Sequence, residues 1–500
     1  MHFSLAPTAQ AVTAPFTWHG VLRWCLAAPA LASLLVACGG GGDPAVDATQ
    51  YVRAAQCSAR ANDTPGLLLD CVTADAVQAH IERFSEIALA NGGSRAAGTA
   101  GDEATAQYVA SLLREAGYVV TMNRVDVESY DLTEPSVLEQ GGAGGAAVAN
   151  DVLSHSGSGD VTAAVAAPAG ATGCAASDFA GFPAGAIALV LRGDCPFHEK
   201  ATNAAQAGAA AVVIRNNEDG PLLGNLGPDF RLPLPAVGVS RADGEQLLAQ
   251  VPGGLVLRVR VQARREKAST VNVLAETRGG DPAHVVVAGA HLDTVPGTVG
   301  SSDNGSGSAA LLETALQMAR VQPRDKVRFA FWGAEEMGLE GSAAYVDALT
   351  AAERSRIALY LNFDMIASPN YVYGLYVGNG EAPDSSQLPG TASETIRHVF
   401  TDYYDARGLP WRLISGADGR SDHDAFSRSG IPHGGLFTGA EEIKTAQEAA
   451  TWGGTAGIAY DPCYHQACDN PANVNRDALA VNAGLVATSV LHFAMNGLAR

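Results

Sequence analysis

Charge is sparse and lopsided in this chain of 500 residues: charged side chains make up 17%, and 32 Lys and Arg stand against 52 Asp and Glu, a formal net charge of -20. So few cations repel phosphate backbones and anionic headgroups, which excludes a nucleic-acid partner. No C-x-x-C occurs, which argues against a thiolate zinc cluster. No G-x-S-x-G occurs either, which disfavours a serine hydrolase. Beyond the first forty residues no segment approaches 18 continuous apolar residues, so the mature chain has no sequence signal for an integral membrane protein. What is present is a globular composition. Hydrophobic residues reach 47%, with 56 Gly and 24 Pro, which rules out a disordered acidic polymer and a collagen-like chain. The length exceeds one ordinary core and implies two domains, or one large domain with an insertion.

The run from Leu26 to Ala37 is apolar or small, follows Arg23, and ends in Leu35-Val36-Ala37-Cys38 ahead of Gly39 to Gly42. It is shorter than the roughly 20 apolar residues of a spanning helix and sits where an export signal sits. It resembles a bacterial lipoprotein signal with its lipobox. That implies export from a bacterial cytoplasm, lipidation of Cys38, and an outer-membrane or cell-surface protein held to a membrane only through that lipid. A plain cleaved signal, with Cys38 incidental, gives a secreted protein instead. Of the eight cysteines, Cys25 and Cys38 fall in this leader. The six that remain suit an oxidising compartment, and proximity suggests the pairs Cys57 with Cys71, Cys174 with Cys195, and Cys463 with Cys468, one choice among many connectivities.

Residues 39–73 read as a tether and N-terminal extension, and Ala74 to Gly117 carries helical patterning, the start of an α/β domain over 74–130. Across 131–265 the composition shifts to Gly, Ala and Val, which reads as an insertion. Within it Ala186 to Leu191 and Ala209 to Ile214 are short apolar strands around a helical stretch from Glu199 to Ala207. The Gly142-Ala143-Gly144 cluster is a weak dinucleotide loop, because no strand leads into it and no helix follows at once. The words Arg192-Gly193-Asp194-Cys195-Pro196-Phe197, Lys200, Val212-Val213-Ile214-Arg215-Asn216 and Leu234-Pro235-Ala236-Val237-Gly238-Val239 resemble the protease-associated domain. The resemblance implies a small lid or interaction module without chemistry of its own. After Ser269, strands at Val285 to Ala288, Val327 to Trp332 and Ile357 to Phe363 alternate with helices at Ser306 to Arg320 and Ser342 to Leu349. The fold class is therefore α/β: over 266–500 a mostly parallel sheet with helices on both faces, with the smaller β-rich module inserted.

In such a sheet the site lies beyond the carboxyl ends of the strands. There His291 and Asp293 follow the first strand as H-x-D, Glu335-Glu336 follow the second, and Asp364 closes the third. Asp303 stands in Ser302-Asp303-Asn304-Gly305-Ser306 before a helix, and His423 in Ser421-Asp422-His423-Asp424. Singly, Asp303 reads as a turn with Ser306 as a cap, the two glutamates as a solvated pair, and His423 as a surface residue. Asp364 resists so bland a reading, since a carboxylate straight after an apolar strand needs a partner. Together two imidazoles and three carboxylates form the ligand set of a pair of zinc ions, with Asp303 the candidate bridge. The residues themselves do not decide which of Glu335 and Glu336 binds metal.

The ordered words H-x-D, D-N-x-S-G, E-E-x-G-x-x-G-S, N-x-D-M and S-D-H resemble the di-zinc exopeptidases of the aminopeptidase Y family, which includes glutamate carboxypeptidase. The resemblance implies two Zn2+ per chain, with His291 and Asp364 on one, Glu336 and His423 on the other, and Asp303 bridging. It makes Glu335 the general base and Asp293 the acceptor of the His291 ring proton. Tyr460-Asp461-Pro462-Cys463-Tyr464-His465-Gln466-Ala467-Cys468-Asp469 resembles a disulfide loop of secreted bacterial aminopeptidases. Within it His465 reads as a lining of the substrate pocket rather than a ligand. A calcium site among the later acidic residues is not assignable. The leading expectation is an aminopeptidase acting on peptides. A carboxypeptidase is the alternative and needs a cationic clamp, for which Arg397, Arg407, Arg412 and Arg420 are candidates. A non-catalytic receptor ranks below both, since every ligand position holds a suitable residue, and a one-zinc cyclase is a minor alternative.

Overall fold

The computed structural model describes residues 54–377, 392–415 and 419–498; the leader, Cys38 and Gly39 to Gly42 lie outside them. Among the described residues fourteen strands join edge to edge. The half that follows Asp281 runs, from its outer edge, Arg412–Ser415, Gly374–Val377, His433–Phe437, Ile357–Phe363, Asp281–His291 and Asp325–Trp332. The central pairings, Asp325–Trp332 and Ile357–Phe363 with Asp281–His291, and Ile357–Phe363 with His433–Phe437, are parallel. Strands buried on both faces need near-continuous apolar sequence, and Val285 to Ala290 and Val327 to Trp332 supply it.

Alternate residues of these strands serve two separate cores. Val286, Ala288, Ala290, Phe329, Phe331 and Phe363 pack with the helices Ala74–Ala90, Ala100–Glu115, Ser306–Met318 and Arg476–Asn496. Val285, Val287, Trp332 and Tyr360 turn the other way, towards Tyr345 and Phe426 of the helices Glu340–Ala348 and His423–Arg428. Side-chain caps start three of the helices: Thr73 accepts from the Ala76 amide, Thr99 from that of Asp102, and Asn475 from those of Asp477 and Ala478. Every residue of Ser306–Met318 is buried. Arg476–Asn496 is long and apolar enough to cross a membrane, but 72% of that stretch is buried inside the fold, where Leu479, Val486, Val490 and Phe493 join the first core.

The strand Val256–Glu276 belongs to both halves of the sheet. It lies antiparallel to Asp325–Trp332, and along its length antiparallel to Val119–Gln140, from Val119 opposite Glu276 to Gln140 opposite Leu257. Register shifts at Leu132/Glu134 and Glu134/Val137 bend this ribbon, and past them the packing changes: Leu138, Leu257, Val259 and Val261 belong to a second domain's core. There Gly159–Ala166, Ile187–Leu191, Ala211–Arg215 and Ala236–Val239 pair in parallel, backed by the helices Phe197–Gln206 and Arg241–Gln250. The disulfides are Cys57–Cys71, Cys174–Cys195 and Cys463–Cys468, the pairs suggested by proximity. Beyond the elements read from the sequence, the fold contains the helices Ala392–Asp405 and Arg476–Asn496.

Candidate metal centre

Parallel register brings the chemistry to one edge. Trp332 lies opposite His291, and Asn362 opposite Gly289, so the residues that follow these strands emerge side by side. The His291 Nε2 atom lies 3.3 Å from Asp303 Oδ1, 3.4 Å from Asp364 Oδ1 and 4.0 Å from Glu335 Oε2. The other oxygen of Asp303 faces a second imidazole: His465 Nε2 lies 3.2 Å from Asp303 Oδ2 and 3.1 Å from Glu336 Oε2. Two groups of metal-type donors result, His291 with Glu335 and Asp364, and Asp303 with Glu336 and His465, each within 4.8 Å.

That second imidazole is a correction. His423, expected as a ligand, opens the helix His423–Arg428 and is buried with its ring 4.5 Å from that of Tyr376 and 5.6 Å from that of His433. It packs among rings and belongs to neither donor group. Its sequence word reaches the centre through Ser421 instead, whose hydroxyl donates to Asp364 Oδ2 at 2.6 Å and accepts from Asn362 Nδ2 at 2.8 Å. His465, expected only to line the pocket, sits at the tip of the Cys463–Cys468 loop with the Tyr464 ring stacked 3.8 Å away. The signal that marks it is the cystine itself, since a short covalent loop holds an imidazole still as a free loop does not.

Asp293 lies against the His291 ring with both its carboxylate and its backbone carbonyl. Its carboxylate is 3.6 Å from His291 Nδ1, whereas its backbone carbonyl is 3.1 Å away and accepts that ring proton. With Nδ1 so engaged, Nε2 is the ring nitrogen that faces the centre. The Asp293 carboxylate accepts the backbone N–H groups of Glu335 and Glu336, at 3.0 and 3.2 Å, and so orients both glutamates. Asn304 fixes the remaining acid: it donates to the Phe363 carbonyl at 3.0 Å and accepts from the Met365 amide at 3.2 Å, spanning Asp364.

Burial pushes Glu335 well above the usual carboxylate range, with Glu336 and Asp364 adding to the rise and His291 opposing it. Burial raises Glu336 as well. Asp303 goes the other way: its burial is outweighed by the imidazoles of His291 and His465 that face its two oxygens and hold it below the usual range. Both imidazoles are raised, their burial overcome by Glu335 and Asp364 for His291 and by Glu336 and Asp303 for His465. Among the described residues Glu336 Oε1 and Asp364 Oδ1 find no hydrogen-bond donor although buried. Four buried carboxylates meeting two imidazoles, with oxygens to spare, are costly unless cations join them. Nitrogen and oxygen donors in this ratio fit zinc.

The centre opens into a cavity of about 390 Å³, lined among others by the apolar side chains of Met365, Tyr376, Leu413, Ile414 and Phe437 and by Arg192, Glu218 and Asp219. Its arginines are already engaged: Arg192 with Glu218 at 3.5 Å, Arg412 with Glu448, and Arg420 with Glu441 at 2.8 Å and Glu442 at 3.2 Å. Of the other clamp candidates, Arg397 pairs with Glu394 and Arg407 lies over the Tyr403 ring.

Residues 272–490 match the profile of peptidase family M28, and residues 158–247 that of the PA domain. An aminopeptidase of Pseudomonas aeruginosa (strain PAO1) is 42% identical over 447 residues, 85% of this chain and 81% of the relative. A probable lipoprotein aminopeptidase, LpqL of Mycobacterium tuberculosis, is 42% identical over 426 residues, 84% of each. Among solved structures, an aminopeptidase from Aneurinibacillus sp. strain AM-1 superposes with a TM-score of 0.70 at 25% identity, over 87% of this chain and 98% of that one. A zinc aminopeptidase from Bacillus subtilis gives 0.58 at 27% identity, over 86% and 97%.

Proposed function

Because this chain belongs to peptidase family M28 and carries an inserted PA domain, we propose that it is an exported zinc aminopeptidase that removes N-terminal residues from peptides. The observation that carries the reading is Asp303, whose two oxygens each face a different imidazole. His291 and Asp364 would hold one Zn2+, Glu336 and His465 the other, and Asp303 both. The ions would supply Lewis acidity, lowering the pKa of water and polarising the scissile carbonyl. Glu335 is the general base: its carboxylate stands 4.0 Å from His291 Nε2 without being assigned to either ion, and it would take a proton from water and return it to the leaving amine as the C–N bond breaks. Asp293 orients it by holding its backbone N–H. The apolar wall of Met365, Leu413, Ile414 and Phe437 suits a large aliphatic side chain at the scissile end.

Carboxypeptidase action is the weaker reading, because among the described residues each arginine lining the cleft already has a carboxylate partner. Export is supported by the three disulfides and by the name of the mycobacterial relative; we place the lipid anchor at Cys38 and the insertion at residues 131–265. The test is the chain without its leader, assayed for zinc content and for release of leucine from a chromophoric amide before and after chelation, with Glu335→Gln in parallel. Two zinc ions per chain, activity that follows the metal, and a Glu335→Gln protein that keeps zinc but loses turnover are the expected results. Cleavage only at C-termini, or a chain that takes up no zinc, overturns the reading.

A further inference from the structure

Between His291 and Asp303 the chain leaves the sheet and surfaces at Pro296 and Gly297, and on either side of that turn Leu292, Asp293, Thr294, Thr298, Ser301 and Ser302 are buried. A buried segment without a ladder must find partners for its backbone groups. Here two fully buried side chains of opposite charge provide them. Arg95 takes the carbonyls, its Nε donating to Leu292 at 3.0 Å, its Nη2 to Gly300 at 3.2 Å, and its Nη1 to Val299. Asp469 takes the next three amides in succession: Ser301 donates to its main-chain carbonyl at 3.3 Å, Ser302 to Oδ1 at 2.8 Å, and Asp303 to Oδ2 at 3.1 Å. The exchange from carbonyls to amides falls at Gly300, in the left-handed region at φ 59°.

We infer that Arg95 and Asp469 are positioning residues that clamp residues 292–303 from both ends of its charge pattern and thereby fix where the Asp303 carboxylate stands. Asp469 does more, because it directly follows Cys468. The anion that sets Asp303 is anchored on the loop that carries His465, so one residue ties two donors of the second group into a single unit. Asn473 reinforces it, donating from Nδ2 to Asp469 Oδ1 at 3.2 Å and to both oxygens of Asp461 at 2.9 and 3.1 Å. Both Arg95 and Asp469 have no exposed surface, so neither can touch substrate. A rigid guanidinium fork suits three carbonyls where a point charge does not, and a carboxylate, purely an acceptor, suits a run of N–H groups.

The inference rests on the two-zinc reading, and its test separates the two. Asp469→Asn keeps shape and turns one oxygen into a donor facing an amide. The expected result is about 10–100-fold weaker zinc binding by chelator competition, the range for groups behind a ligand, with kcat reduced and KM unchanged. The rise in Tm on adding zinc should shrink as well. A merely structural role instead lowers the Tm of metal-free protein and leaves that rise intact. Arg95→Lys, which keeps the charge and loses the fork, should act in the same direction and decides the matter if Asp469→Asn does not fold. Wild-type zinc affinity and a wild-type rise in Tm in either folded variant overturn the clamp while leaving the two-zinc reading standing. A wild-type chain that binds no zinc overturns both.

Discussion

The two imidazoles of the centre are immobilised by different means. His291 ends a strand with parallel neighbours on both sides, and only 1% of its side chain is exposed. His465 stands on a loop outside the sheet, 28% exposed, kept in place by the Cys463–Cys468 cystine and the acids that bracket it, Asp461 and Asp469. A strand end draws its rigidity from many backbone hydrogen bonds, and no one of them is decisive. The loop draws its own from a covalent bond and a few side chains, so each is worth more. The His465 side of the centre should therefore be the easier one to disable by a single change away from the donors themselves.

The sharpest way to break this comparison exchanges the two candidate histidines. His465→Asn should lose one zinc per chain and more than about a hundredfold in kcat, above the range for outlying partners, whereas His423→Asn should keep both ions; zinc content and turnover measured together decide it. Next in size is the cystine. Serine at both Cys463 and Cys468 frees a loop whose closure is worth about 2 kcal/mol, or about thirtyfold. That loss should appear in the affinity of one ion only, by chelator titration. Ser421→Ala tests the strand side, where Asp364 Oδ2 loses its hydroxyl donor. An effect of roughly 1–3 kcal/mol, read as about tenfold weaker binding of the other ion, is expected.

One last effect concerns stability alone. Asp102 accepts from the Gly98 amide and the Thr270 hydroxyl at 2.8 Å each, and burial pushes its carboxyl from 3.8 up to about 7. Across that window the folded chain keeps a proton that the unfolded chain has released, so stability falls as pH rises through it. Asp102→Asn should flatten the decline in the Tm of metal-free protein over that range; an unchanged slope removes Asp102 as its source.

The parts of the centre that are legible in the sequence are those fixed by local pattern. An apolar run followed by His291, by Glu335-Glu336 or by Asp364 announces a strand end and its cargo, and parallel pairing does the rest. His465 is not legible in that way, because what holds it still is a disulfide and a set of acids whose partners lie far along the chain. His423 misleads for the complementary reason: it adjoins Ser421, which does reach Asp364, but a helix begins at His423 and carries its ring in among Tyr376 and His433. Arg95 gives no local signal at all, since its partners are 197–205 residues away. The alternation of strand and helix gave the sheet, while the ribbon of Val119–Gln140 with Val256–Glu276, an antiparallel pairing across more than a hundred residues, needed the structure.

That ribbon has a consequence for how the gene can change. Tyr130 faces Arg265, and Asp131 faces Arg264, so the two strands that lead to and from the PA domain, residues 158–247, are paired on adjacent rungs. Whatever is spliced between those rungs enters as a closed excursion. A tight hairpin, a larger module or a foreign one could occupy the gap, and the strand that delivers His291 would keep its register in every case.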